Sequence, residues 1–201
     1  MASEKQITIK ENSSGMDRFL PRFQIGYDIF KKTHDQIREK SYKIISALKQ
    51  RNDVFIEVNS SLFNIHQGHR EEVFLALISS IKELGLQYRY RKGSPASKGN
   101  IFSQILNIGP KISHEALIYV PNNVWEQEGF LSLLPIYGLR YYICKGPIDG
   151  EKTLNDLYNG QMMDEEIIRF FQLIVFDNGE YGNMGINSQD LSLNDLKQLL
   201  G

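Results

Sequence analysis

The stretch of this 201-residue chain richest in groups able to do chemistry runs from Arg89 to Asn100. It holds four cationic side chains (Arg89, Arg91, Lys92 and Lys98), the hydroxyls of Ser94 and Ser97, and two glycines, Gly93 and Gly99. Backbone N–H groups in such a segment, ahead of a helix N-terminus, can hold a phosphate or a carboxylate. Arg91, Ser97, Lys98 and Asn100 are therefore the expected ligand-binding residues, and a phosphate-containing small molecule is the expected ligand. The segment is not a P-loop, because Ser97-Lys98-Gly99-Asn100 does not supply G-K-[S/T], and no G-x-G-x-x-G fingerprint occurs. A solvated basic loop is the plainer reading of the same residues.

Other titratable groups form no convergent set. Glu126 and Glu128 follow Trp125 at the start of an expected helix, where the helix dipole favours acidic side chains in any protein. Glu128 is the candidate acid or base. His66 and His69 are three residues apart, but no cysteine or acidic motif completes a ligand set, so no metal and no cofactor is expected. Asp177 to Asn183 is polar and glycine-rich without EF-hand spacing. No nucleophile elbow, H-E-x-x-H or kinase signature is present. Cys144, the single cysteine, lies in the apolar run Leu139 to Cys144, where a thiol serves as a small buried hydrophobe.

The elements expected to position these groups follow from periodicity. Gln6 to Lys10 alternates as a short strand, and a long helix spans about Asp28 to Gln50, with Phe30, Ile37, Ile44, Ile45 and Leu48 on one stripe that His34 and Ser41 share. From Asn52 onward strands and helices alternate. Asp53–Val58 is a strand. His69–Leu84 is an amphipathic helix capped by Gly85. Gln87–Arg91 is a strand, followed by a short helix carrying Ile101, Ile105 and Ile108. Ala116–Val120 is a continuous apolar strand, followed by a helix that Asn122 or Asn123 could cap and that Pro135 ends. Leu139–Cys144 is a further strand. Asp164 opens a helix leading into Leu173–Phe176, and Ser192 to Asp195 has the S-x-x-D form of a capping box for the last helix.

This rhythm predicts an α/β fold: a largely parallel sheet with helices on both faces, of the Rossmann-like or flavodoxin-like three-layer kind, plus an N-terminal strand and long helix. The division expected is residues 1–51 as an appendage packed on a core domain of residues 52–201. Hydrophobic residues make up 41% and charged residues 23%, with a formal net charge of -1, so the composition is globular and lacks the basic excess of a nucleic-acid or membrane-surface binder. The N-terminus has no apolar leader-like stretch, and the cytoplasm is the expected location.

Residues 53–125 resemble a TIR domain over roughly a third of the chain. Asp53-Val54-Phe55-Ile56 stands as the opening strand, followed by the small polar loop Asn59-Ser60-Ser61. A helix ending at Gly85 precedes the second strand, and a segment led by Gly99 reaches Ser113 and the strand Ala116–Val120, with Trp125 shortly after. Pro121 stands where that family has a serine, and Gly129 where it has an acidic residue, Glu128 being one position earlier. The resemblance implies a nucleotide-binding or NAD-cleaving enzyme or sensor with Glu128 at its centre. The absence of a convergent catalytic set points instead to a non-enzymatic protein-interaction or regulatory module of inhibitor or immunity type, whose partner is another protein.

Overall fold

A computed structural model describes residues 7–12, 22–26, 34–60, 67–92, 114–127, 129–134, 139–178 and 183–200. The strands are β1 (Thr8–Glu11), β2 (Phe23–Gly26), β3 (Val54–Asn59), β4 (Tyr88–Lys92), β5 (His114–Val120), β6 (Leu139–Cys144), β7 (Phe171–Asn178) and β8 (Asn183–Asn187). The helices are α1 (His34–Lys49), α2 (Gln67–Glu83), α3 (Asn122–Trp125), α4 (Phe130–Leu133), α5 (Gly150–Tyr158), α6 (Asp164–Phe170) and α7 (Leu193–Leu200).

The strands form one sheet in the order β1-β2-β8-β7-β6-β3-β5-β4. Five strands from β7 to β4 and three from β1 to β8 meet along the β7–β8 ladder. Every pairing is antiparallel. The expected largely parallel, Rossmann-like or flavodoxin-like sheet is thus overturned. The reason lies in the connections. The chain leaves β3, passes through α2 and returns as β4, which runs parallel to β3 but lies two places away, with antiparallel β5 between them. It leaves β5 through α3 and α4 and returns as β6, parallel to β5, with β3 between. The result is two interleaved split βαβ units. Each crossover has the helix–strand alternation of a parallel sheet, while each parallel pair is separated by a strand of opposite direction.

The apolar run of β5 has the same explanation. Such runs mark burial on both faces, which is usual in parallel sheets, and here an antiparallel sheet is covered on both sides. Val54, Ile56 and Val58 of β3, Ala116, Ile118 and Val120 of β5, and Tyr141 and Ile143 of β6 point to one face, where they pack with Ile44, Ile45 and Leu48 of α1 and Phe74, Leu77 and Ile81 of α2. Trp125, Phe130 and Leu196 bring α3, α4 and α7 to the same face. Phe55, Leu117, Tyr142 and Cys144 point the other way and meet Leu154 of α5, Ile167 of α6 and Phe171. Cys144 is buried, as its run of neighbours implied.

Local chemistry fixes several joints. The helix expected near His69–Leu84 is α2, and it ends as foreseen: Gly85 adopts φ +67°, and the Leu86 N–H donates to the Ile81 carbonyl while the Gly85 N–H donates to that of Lys82. The capping box at Ser192 forms, with the Asp195 N–H donating to Ser192 Oγ at 3.2 Å and the Ser192 N–H to Asp195 Oδ2 at 2.7 Å. The cap expected from Asn122 or Asn123 is supplied differently. Pro121 occupies the cap position and Asp53 Oδ1 accepts from the Asn122 N–H at 2.8 Å, so an acid at the start of β3 closes a helix that follows β5. Asp53 Oδ2 accepts in turn from the Tyr119 hydroxyl at 2.7 Å. Lys49 is fully buried, and its ammonium donates to the carbonyls of Gln50 and Asn52 and to Asn122 Oδ1. It also lies over the Trp125 ring. Burial of the amine lowers its pKa, an effect that Glu126 and Asp53 partly offset.

Candidate functional site

Of the residues expected to bind a ligand, Arg91 alone lies in the described structure. Ser97, Lys98, Asn100 and Glu128 lie outside the described residues, as do His66, the expected helix through Ile101 and Ile105, and Pro135. Arg91 sits on β4, the terminal strand of the sheet, on the face covered by α5. Its Nη2 is 2.6 Å from Glu115 Oε2, and its Nε donates to the same oxygen at 2.8 Å. The hydrogen bond and the charge of Glu115 raise the Arg91 pKa further. Its guanidinium also lies 5.7 Å from the Tyr158 ring centre.

Sheet register brings a second group to the same place. Glu57 of β3 pairs with Arg140 of β6, and both face the α5 side. Arg140 Nη1 donates to Glu57 Oε1 and Oε2 at 3.2 and 3.1 Å, and the Tyr142 hydroxyl donates to Oε2 at 2.6 Å. Burial raises the Tyr142 pKa and the Glu57 carboxylate adds to that rise, with Arg140 opposing. Tyr158 is raised too, first by burial, with Arg91 opposing.

These two clusters line a cavity of about 300 Å³ whose floor includes Leu117 and whose wall is the last turn of α5, Leu157 to Gly160. That turn ends because Gly160 takes φ +65°, which lets the Gln161 N–H reach the Asp156 carbonyl and the Gly160 N–H that of Leu157. Its N-terminal turn is closed by Asp149, whose carboxylate accepts from the Lys152 N–H at 3.0 Å. Arg89 ties α5 to β4, donating from Nε to Asn155 Oδ1 at 2.7 Å, with Glu151 3.8 Å from its Nη2.

Glu57, Glu115, Arg140, Tyr142 and Tyr158 carry no motif and were not among the expected site residues. The available signal was charge inside apolar strands: Glu57 interrupts Val54–Val58, Arg140 interrupts Leu139–Cys144, and Glu115 is the second residue of β5. Alternation places all three on one face once the pairing is known.

The histidines divide by environment. His69 is exposed and bound to Glu72 at 3.0 Å in its own helix. His114, at the start of β5, is buried on the opposite face from the cavity: its Nδ1 is 2.9 Å from the Tyr90 hydroxyl and its Nε2 is 3.6 Å from Glu71. Its backbone N–H donates to Ser60 Oγ at 2.7 Å. Among the described residues no group of three His, Cys, Asp or Glu side chains is placed to hold a metal ion, and no helix is long and apolar enough to cross a membrane. Comparison of the chain with protein-family models, with curated proteins and with solved structures returned no match.

Proposed function

We propose that this chain is a non-enzymatic recognition module of regulatory type that engages another protein through α2 and the β4 end of the sheet. One observation carries the reading. Among the described residues six large hydrophobic side chains are exposed, and four of them, Val73, Leu75, Leu84 and Tyr90, belong to α2, its C-terminal cap or β4. Tyr90 packs on Phe74 of α2, their ring centres 5.5 Å apart, and Lys92 of β4 lies 3.6 Å from Glu71 of α2, so the two elements are neighbours at the sheet's end. Exposed apolar groups with an aromatic among them, bordered here by Arg70, Glu71 and Lys92, are a common composition of interaction surfaces.

The test compares wild type with the double variant Val73→Glu, Leu75→Glu. Both positions are exposed, so far-UV circular dichroism and Tm are expected to stay near wild type. Capture from native lysate is expected to yield a stoichiometric partner with wild type and none with the variant. Equal capture by both, a strictly solitary monomer, or nicotinamide release on incubation with NAD overturns the reading.

A further inference from the structure

We propose that the cavity between the sheet and the C-terminal end of α5 is a binding site for a small zwitterion of the free α-amino-acid type. This site is on the opposite face of the sheet from Tyr90 and is independent of the protein-partner surface. The cavity measures about 300 Å³, the lower end of the range for small-molecule sites. A space of that size admits a free amino acid.

Charge then selects among molecules of that size. Two carboxylates, Glu57 and Glu115, and two guanidiniums, Arg91 and Arg140, line the space and balance one another. They are half-buried apart from Arg91, and a lone anion drawn to the arginines would leave a carboxylate with its countercharge divided. A lone cation drawn to the carboxylates would do the same to an arginine. A zwitterion adds no net charge and replaces each protein partner with one of like sign, its carboxylate on the Arg91 or Arg140 side and its ammonium on the glutamate side. The last turn of α5 adds the negative end of a helix dipole to the same wall, which favours the ammonium. Leu117 on the floor and Leu157 on the wall offer an apolar surface to a short side chain. The hydroxyl of Tyr142 and the side chain of Asn159 supply further hydrogen-bonding groups.

Calorimetric titration of the full chain with each free amino acid at about 10 mM, a concentration at which millimolar binding is visible, reads the proposal directly. At least one is expected to bind, and its N-acetyl and C-amide derivatives, each lacking one charge, are expected to bind at least about tenfold more weakly. Arg91→Ala and Glu57→Gln are both expected to weaken binding by a similar factor. If Glu57→Gln does not fold, Arg91→Ala at the exposed end strand serves alone. Heat from none of the free amino acids overturns the proposal. So does equal affinity for the blocked derivatives, or binding that is unchanged in Arg91→Ala. Because Val73 and Leu75 lie on α2 across the sheet, loss of partner capture in their double variant leaves this titration unchanged, and the two readings fail separately.

Discussion

Cys144 offers a direct reading of how closely the α5–α6 layer covers the sheet. It is the chain's only cysteine, fully buried among Phe55, Tyr142, Leu154, Ile167 and Phe171. Burial, aided by the carboxylate of Asp53, pushes its thiol from 9.0 up to about 12. At pH 8 a thiol of pKa 9.0 is about one-tenth thiolate, whereas one at about 12 is thiolate to about one part in ten thousand. Since the thiolate is the nucleophile, and a more basic thiolate is only partly compensated by its higher nucleophilicity, its reaction with Ellman's reagent in native protein is expected to be at least about thirtyfold slower than in urea, before any shielding by the helices. A native rate within about tenfold of the denatured one, with circular dichroism still folded, would refute the packing. The same shift has a stability consequence whose sign is fixed. The folded thiol holds its proton more tightly than the unfolded thiol, so above pH 9 the unfolded chain gives up a proton that the folded chain keeps. Stability from this group is intact below pH 9 and is lost as pH rises to about 12, at ~1.4 kcal/mol per pH unit. The stability difference between wild type and Cys144→Ala, measured by urea unfolding across pH 8 to 12, is expected to fall by roughly 4 kcal/mol. Titrations that do not depend on Cys144, that of Lys49 among them, cancel in that difference, whereas Tyr119, whose pKa the Cys144 thiolate helps to raise, adds a smaller change of its own.

Three further perturbations address separate parts of the fold. Trp125→Ala removes the chain's only tryptophan, which stacks on Tyr42 at 4.9 Å and donates from Nε1 to Ser46 Oγ at 2.9 Å; urea unfolding is expected to show a loss of about 3–5 kcal/mol, and a loss under about 1 kcal/mol would contradict its burial. Gly150→Ala places a Cβ 2.5 Å from the Tyr119 ring, whose hydroxyl Asp53 holds, so a loss of about 1–3 kcal/mol is expected where a helix-opening alanine would otherwise stabilise. Glu57→Gln removes a charge that helps raise the Tyr142 pKa and leaves Arg140 beside it, so Tyr142 is expected to ionise at lower pH than in wild type, followed by NMR of 13C-ζ-labelled tyrosine.

How far the sequence specified the fold depends on which interaction set each element. α1, α2 and β3 to β6 are long enough for periodicity to be legible, and their bounds differ from expectation by a few residues, except that α1 is described only from His34. β2 and β8 are short: Phe23 and Ile25, and Met184 and Ile186, are single alternations, and their strand identity comes from pairing with each other across residues far apart in the chain. The segment at Asn183 was read as part of a polar loop for that reason. α5 is only nine residues long, and its apolar stripe is the short set Leu154, Leu157 and Tyr158, of which Leu154 alone is fully buried; the Asp149 cap and Arg89 on Asn155 hold it as well. Parallel against antiparallel is not written in hydrophobicity at all, because a helix that returns the chain to a parallel strand leaves the same pattern whether or not another strand lies between.

That last point also moved the site. The rule that ligands gather at the carboxyl ends of strands requires the strands to share an end. In this sheet neighbours alternate in direction, so each rim mixes strand starts and strand ends, and no rim collects successive loops. An open space arises instead from a mismatch of lengths. α1 and α2, with 16 and 17 residues, run about 24–26 Å and cover one face. α5 and α6, with 9 and 7 residues, run only about 14 and 11 Å on the other, shorter than the ~20 Å of a six-residue strand such as β3. Beyond the last turn of α5 no described helix covers the sheet face, and side chains there are less enclosed by the described residues than those under α5. Glu57, Glu115, Arg91 and Arg140 occupy those positions, and their types are what one face of a buried sheet requires where its helical cover stops.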